Sequence, residues 1–110
     1  MSCTQPILID RYVVEVLMPD LIGHDRQPSA FLVYLFLHAR SAATPQGAVS
    51  VSLRGIAEAT ALSKSVVQTA LRTLKRRKLV SATLARRTAT PEYRVHLPWR
   101  RQREARDARP

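Results

Sequence analysis

The stretch that decides the fold is LRGIAEATALSKSVVQTALR, residues 53–72 of a chain of 110 residues. Ser52 precedes it and Ser63 lies inside it, and serine is a preferred residue type at helix N-caps. The two caps predict one helix over about residues 53–60 and another over residues 63–77. Two short helices separated by only a few residues form a compact angular unit.

The second of these helices has two chemically distinct sides. Four apolar residues recur at positions i, i+3, i+4 and i+7, and this spacing turns them toward the core: Val67, Ala70, Leu71 and Leu74. The opposite side and its flank carry polar or basic residues: Ser65, Gln68, Thr69, Arg72, Lys75 and Arg76. The sequence therefore predicts an amphipathic helix with a polar, basic outer face.

An earlier helix is predicted over about residues 28–42, because proline suits the first turn and Pro28 stands there. Apolar side chains of residues 31–37 surround that helix on every side, which a solvent-facing helix does not show. It is therefore interpreted as the central core helix, with a partial role in a subunit interface left open.

Three short strands are predicted around the helical unit. Residues 48–51 alternate after a glycine turn, and residues 80–85 and 92–97 alternate well enough to pair. The six residues between the last two strands, closed by Pro91, are predicted to form a hairpin tip.

The N-terminal region is harder to interpret. Residues 12–17, YVVEVL, are rich in β-branched side chains and stop at Pro19, which favours a short strand. A helix from Ile7 onward is the competing interpretation, and residues 19–28 are predicted to be a connector.

This order of elements, with residues 53–72 at its centre, resembles the winged helix-turn-helix DNA-binding domains of bacterial regulators of the GntR and MarR kind. The small residue needed where the two helices cross is Ala57, and the apolar positions of the pattern are filled: Ile56, Leu62, Val67 and Ala70. The resemblance covers about residues 28–97. At two positions that are commonly glycine in such domains, this chain has Ala61 and Lys78.

The resemblance implies a mainly α fold with a small antiparallel sheet: a three-helix core, a β-hairpin wing and a short N-terminal extension. The expected divisions are an extension over residues 1–27, the winged domain over 28–98 and a flexible basic tail over 99–110. A chain of this length is enough for one core and too short for two.

Charge is distributed unevenly along the chain. The net charge is +10. Residues 1–60 carry four basic and five acidic groups, whereas residues 61–110 carry fourteen basic and three acidic groups. A one-sided positive field raises the encounter rate with polyanions, which indicates nucleic acid or an anionic membrane surface as the partner. The membrane surface ranks lowest, because the basic helix lacks a large apolar face for insertion.

Double-stranded DNA is the partner that the pattern favours. Arginine pairs with guanine, glutamine with adenine, and threonine contacts the thymine methyl. The candidates for base contacts lie in the first turns of the helix: Ser65, Gln68, Thr69 and Arg72. The candidates for phosphate contacts lie at the helix ends and around the wing at residues 86–91: Ser63, Lys64, Lys75, Arg76, Arg86, Arg87 and Arg94. Dimerisation through residues 7–18 and the helix at 28–42 is expected, because one small domain contacts few bases.

Other function classes find little support in the sequence. The three histidines are scattered, no nucleophile motif or glycine-rich phosphate loop is present, and Cys3 is the one cysteine. No enzyme, metal, cofactor or small-molecule ligand is therefore predicted, and no signal peptide or membrane span. The expected location is the bacterial cytoplasm, in association with the nucleoid when DNA is bound.

Three functions remain open at this point. The first is a sequence-specific transcriptional regulator. The second is a plasmid or phage replication initiator, or a non-specific nucleic-acid binder, with the same winged domain. The third is a winged helix used as a protein-interaction module, for which an apolar or acidic outer helix face is expected.

Overall fold

The computed structural model describes residues 6–44, 46–84 and 89–100. These ranges contain three α-helices: α1 (Pro28–Ala42), α2 (Leu53–Thr60) and α3 (Lys64–Arg76). They also contain three strands: β1 (Ala48–Ser50), β2 (Val80–Thr83) and β3 (Glu92–Val95). The expectation of a mainly helical fold with a small antiparallel sheet is confirmed.

The sheet has the strand order β1-β3-β2, with both neighbouring pairs antiparallel. Tyr93 of the central strand is buried and lies opposite Val49 on one side and Ala82 on the other. The strands β2 and β3 are each two residues shorter than the sequence predicts. Three of the six residues of the predicted hairpin tip, 86–88, lie outside the described residues, which omit 85–88.

The helix pair α2 and α3 begins at the two predicted caps. The Ser52 hydroxyl oxygen accepts a hydrogen bond from the Gly55 amide at 3.0 Å, and the Ser63 hydroxyl oxygen accepts one from the Val66 amide at 3.2 Å. Each bond satisfies one of the amides that a helix N-terminus leaves without an intrahelical partner. The serine caps therefore fix where both helices start.

The two positions where glycine is common both have left-handed backbone. Ala61 has φ 61° at the end of α2, and Lys78 has φ 59° after α3. The Leu79 amide then donates to the Leu74 carbonyl at 2.9 Å, the closing bond of a Schellman motif. A residue with a Cβ atom in this conformation lowers the stability of the fold by about 1 kcal/mol. The chain therefore keeps the usual turn geometry at both positions, but with backbone strain at Ala61 and Lys78.

The predicted strand over residues 12–17 is wrong. The N-terminal segment is helical and contains two π-helical stretches, Val13–Leu17 and Asp20–His24, the second within the predicted connector. Val13, Leu17 and Leu21 recur every four residues and are buried, so one helical face packs into the core. Burial at helical spacing overrides the strand preference of the β-branched side chains.

Contacts with the C-terminal end of the described chain hold the N-terminal segment in place. The Trp99 indole N–H donates to Asp10 at 2.7 Å, and the Trp99 ring stacks on Tyr12 with centroids 4.6 Å apart. The Arg100 guanidinium donates to both oxygens of the Asp10 carboxylate, each at 2.7 Å. The folded part of the chain therefore includes the N-terminal segment and reaches at least Arg100.

Helix α1 is the central core helix, as the sequence predicts. Val33, Tyr34 and Leu37 are fully buried, and the Tyr34 hydroxyl donates to the His96 carbonyl at 3.0 Å. Burial raises the pKa of Tyr34 above its ordinary value, so the hydroxyl stays a donor. Within the described ranges, every buried side-chain nitrogen or oxygen has a hydrogen-bond partner. No helix in these ranges has the length and apolar character that a membrane span requires.

Candidate nucleic-acid interface

The inner and outer sides of α3 differ in burial as the helical spacing predicts. The four apolar residues of the inner side are all buried. The four candidates for base contacts are all exposed: Ser65, Gln68, Thr69 and Arg72. Thr73 is also buried, and its hydroxyl donates to the Gln27 side chain at 2.9 Å. The segment that precedes α1 therefore packs against α3 at Thr73.

The hydroxyl groups at the start of α3 are partly engaged within the helix. Ser63 caps the helix, and its hydroxyl lies 3.3 Å from that of Ser65. The Thr69 hydroxyl donates to the Ser65 carbonyl at 3.2 Å. Gln68 and Arg72, in contrast, make no side-chain hydrogen bond to any described residue, so their polar groups are available to a partner.

The candidates for phosphate contacts fall into three groups. Lys64, Lys75 and Arg76 are exposed on α3. Arg94 is exposed on β3 and donates to the Gln46 carbonyl at 3.3 Å. Arg86 and Arg87 of the predicted wing lie outside the described residues.

The exposed cations of α3 have no counterion in the described chain. Lys64, Arg72, Lys75 and Arg76 form no ion pair with any carboxylate of residues 6–44, 46–84 and 89–100. Five of the six described carboxylates are paired elsewhere, with Arg11, Arg54, Arg77 and Arg100 as partners. The field of the α3 outer face therefore remains positive at short range.

Arg77 does not belong to this face, although the sequence places it in the same basic run. Its guanidinium turns back to the N-terminal segment, where it donates to Asp20 and, at 2.8 Å, to Asp25. Hydrogen bonds from His24 and then from Arg77 lower the pKa of Asp25, and those to Asp20 and Asp25 raise the pKa of Arg77. Both carboxylates therefore form a structural ion-pair cluster with Arg77.

The same cluster resembles a cation site in its donor set. Ligand atoms of Asp20, His24 and Asp25 lie within 4.8 Å of one another. Arg77 already binds both carboxylates through their Oδ2 atoms, however, and its positive charge beside the cluster opposes the binding of a metal cation. The residues present therefore fit an ion-pair network and not a metal centre.

Two shallow grooves flank α3 and bring further residues to the interface. One, of about 340 Å³, runs toward β3 and is lined by Gln68, Arg72, Lys75 and Pro91, among others. The second, of about 320 Å³, lies beside the first turns of α3. Its lining includes Arg26, Ser65 and Thr69.

Arg26 is the residue of this interface that sequence reasoning missed. It is exposed, lies in the connector before α1 and has left-handed backbone with φ 55°. Its position beside α3, which begins 38 residues later, depends on how the N-terminal segment packs on that helix. No short-range sequence pattern encodes such packing.

Comparisons with models of known protein families, with curated protein sequences and with solved structures find no match to the chain. The winged helix-turn-helix resemblance therefore stays a prediction made from the residues themselves.

Proposed function

We propose that the protein binds double-stranded DNA through the outer face of α3 and acts as a sequence-specific transcriptional regulator in the bacterial cytoplasm. One observation carries this proposal. The exposed cations of α3 have no described counterion, while five of six described carboxylates are paired on other surfaces. Val66 is the one large apolar side chain exposed on α3, which is a described helix. A helix face with this charge and so little apolar surface suits a polyanion better than a protein groove.

The side chains along this face match the chemistry of the major groove. The groove admits one helix, and its base edges offer the acceptors of guanine and the donor-acceptor pair of adenine. Arg72 would donate to guanine and Gln68 would bind adenine, and both side chains have their polar groups available. The Thr69 hydroxyl is held by the Ser65 carbonyl, so its contribution would be contact with a thymine methyl.

Basic residues lie around the base-contact candidates Gln68, Thr69 and Arg72 and would bind the DNA backbone. Lys64 lies at the helix N-terminus, where the dipole and the first amides also favour a phosphate. Lys75 and Arg76 lie at the other end, and Arg26 lies in the groove beside the first turns. Arg86, Arg87 and Arg94 would add wing contacts to the backbone or minor groove. Such contacts orient the protein without selecting sequence.

The architecture supports this proposal. The order α1-β1-α2-α3-β2-β3, with β3 between β1 and β2, agrees with a winged helix-turn-helix domain. In such a domain the second helix of the α2–α3 pair enters the major groove.

A second copy of this chain is the proposed partner in DNA binding. Seven of the ten exposed large apolar side chains in the described ranges lie between Ile7 and Ile22, and Leu8 is 91% exposed. Arg11 and Glu15 pair at 3.5 Å on the same segment. A two-fold interface brings one patch against itself, and a patch with one charge of each sign is self-complementary. The dimer would then bind two half-sites.

Selection of bound duplexes from a random DNA pool, at two salt concentrations, tests the proposal. An enriched motif, with affinity that falls as salt rises, is the expected result. A motif repeated as two inverted half-sites would report the dimer, and its genomic position at promoters or at a replication origin would separate regulator from initiator. Affinity without a motif would establish a non-specific binder. No affinity at low salt would overturn DNA binding and favour the protein-interaction module.

A further inference from the structure

A cavity of about 430 Å³ lies at the C-terminal end of α3, between that helix and the ends of β2 and β3. Four polar side chains line it: Lys75, Lys78, Ser81 and His96. Apolar walls come from Val80 and Leu97. A concave site with apolar walls and a few convergent polar groups has the make-up of a small-ligand site.

His96 and Ser81 form a fixed pair inside this cavity. The His96 Nε2 atom lies 2.9 Å from the Ser81 Oγ atom, so the two share a hydrogen bond. The backbone of His96 is also held, because its amide donates to the Leu79 carbonyl at 2.8 Å and its carbonyl accepts from the buried Tyr34 hydroxyl. The imidazole is therefore anchored to the core and to the sheet rather than placed on a free loop.

Lys78 reaches the cavity from a strained position. It has left-handed backbone with φ 59°, at the Schellman position where glycine carries no Cβ penalty. A lysine at this position makes the fold less stable than a glycine would, and Lys78 is one of the residues that line the cavity. Residues held in such conformations concentrate at functional sites.

The cavity is positively charged without a described counterion. Lys75 and Lys78 form no ion pair with any carboxylate in the described part of the chain. The two lysines, the serine and the histidine of the lining together can offer several donors to one anion. Ammonium groups are common ligands of phosphate oxygens.

We propose that this cavity binds a phosphate group, carried either by the DNA backbone beside α3 or by a small phosphorylated compound such as a mononucleotide. Lys75 also lines the groove next to Gln68 and Arg72, so the cavity adjoins the proposed DNA-binding face. The DNA source rests on the proposed function, whereas binding of a free phosphate compound does not depend on it.

The first experiment uses the full chain without DNA. Inorganic phosphate and AMP are titrated separately while the amide and imidazole NMR signals of His96, Lys78 and Ser81 are followed. Saturable shifts at these positions are expected for a free phosphate compound. The Lys78→Gly variant should weaken that binding about tenfold. Because glycine suits the left-handed backbone, this variant should stay folded, so weaker binding would report the loss of the lysine side chain.

Two further variants separate a built site from a general positive field. Ser81→Ala changes no charge and should weaken phosphate binding if the hydroxyl is a ligand. Arg40→Gln removes one exposed charge at the end of α1, outside the cavity and outside the proposed DNA-binding face, and should leave binding of free phosphate unchanged. Equal losses in Arg40→Gln and Lys78→Gly would overturn the cavity as a site.

The second experiment measures duplex DNA affinity as a function of salt for the same variants. If the phosphate comes from DNA, Lys78→Gly should lower the affinity and reduce the salt slope by about 1, and Ser81→Ala should also lower the affinity. The proposal fails if neither free compound gives saturable shifts and neither variant changes DNA affinity. If the protein binds no DNA at all, the first experiment still decides the free-phosphate source.

Discussion

The Nη1 atom of Arg77 lies 2.8 Å from the Oδ2 atom of Asp25, which precedes it by 52 positions in the chain. This contact joins the end of α3 to the N-terminal segment, and Asp20 accepts from the same guanidinium. One arginine of the basic run at residues 75–78 is thereby used for the fold, while its neighbours remain exposed. Position on the helix, and not residue type, decides which arginines remain available to a partner.

Replacing Arg77 with alanine is expected to lower the free energy of unfolding by about 1–3 kcal/mol, because two partly buried carboxylates lose their cation. Arg76→Ala is the matched control, since this arginine is exposed and should change stability by less than about 0.5 kcal/mol. Urea denaturation of both variants measures the difference. Equal effects would contradict the structural role of Arg77.

Replacing Ala61 with glycine is expected to raise the free energy of unfolding by about 1 kcal/mol, because φ at this position is 61° and glycine carries no Cβ there. Ala59→Gly, two residues earlier inside α2, should instead lower it by about 1 kcal/mol. Thermal denaturation of the pair measures both signs. Two destabilised variants would show that the turn is not left-handed.

The helices follow from local signals that the sequence carries. Pro28, Ser52 and Ser63 mark three helix starts, and the structure begins α1, α2 and α3 at or directly after these residues. The strand prediction at residues 12–17 was wrong because it rested on the β-branched composition and not on the spacing of the apolar residues. The spacing of Val13, Leu17 and Leu21 already indicates a helix, provided that the pattern is followed across Pro19.

The candidate interface is only partly visible in the sequence. A helical wheel is enough to place Gln68 and Arg72 on the outer face of α3, because the face of a helix is a local property. The inward turn of Arg77 and the placement of Arg26 beside α3 depend on how the N-terminal segment packs. The cavity that joins Ser81 to His96 likewise depends on strand pairing, which no short-range pattern encodes.

Replacing Arg72 with alanine is expected to weaken binding to the selected DNA site by about 1–3 kcal/mol and to relax specificity at one base position. Arg76→Ala should weaken binding to all sequences alike and reduce the salt slope by about 1. Arg86→Ala in the predicted wing should behave as Arg76→Ala does. Fluorescence anisotropy with matched and mismatched duplexes at several salt concentrations measures both quantities.

The control for these DNA measurements is Arg40→Ala, which removes an exposed arginine at the end of α1 whose guanidinium lies over Phe36. It should leave specificity unchanged. If Arg72→Ala and Arg40→Ala lose the same affinity for matched and mismatched duplexes, Arg72 makes no base contact.

Replacing Leu8 with serine is expected to raise the dissociation constant of the proposed dimer, because this side chain is 91% exposed in the single chain and would be buried twice across a two-fold interface. The cost is about 2–4 kcal/mol for the two copies. Leu84→Ser, at another exposed leucine, is the control. Sedimentation equilibrium measures the change, and a monomer at all concentrations for the unaltered chain would contradict the dimer.

The pH dependence of stability should carry a contribution from Asp10. Hydrogen bonds from Arg100 and then from Trp99 lower the pKa of Asp10 from 3.8 to about 2 in the folded protein. The unfolded chain takes up the proton first as pH falls, so this contribution is complete above the unfolded pKa and is lost as pH falls through the folded value. Its size is about 1–2 kcal/mol after allowance for the half-exposed Arg100.

Asp10→Asn removes the titrating group and should lower the free energy of unfolding at neutral pH by this amount. The difference between the two proteins should shrink as pH falls from about 4 toward about 2, because the unaltered chain then loses the carboxylate too. Urea denaturation at a series of pH values measures the difference. Glu15→Gln is the control, since its exposed pair with Arg11 contributes little. A difference between Asp10→Asn and the unaltered chain that stays constant over this range would mean that Trp99 and Arg100 do not bind the ionised carboxylate.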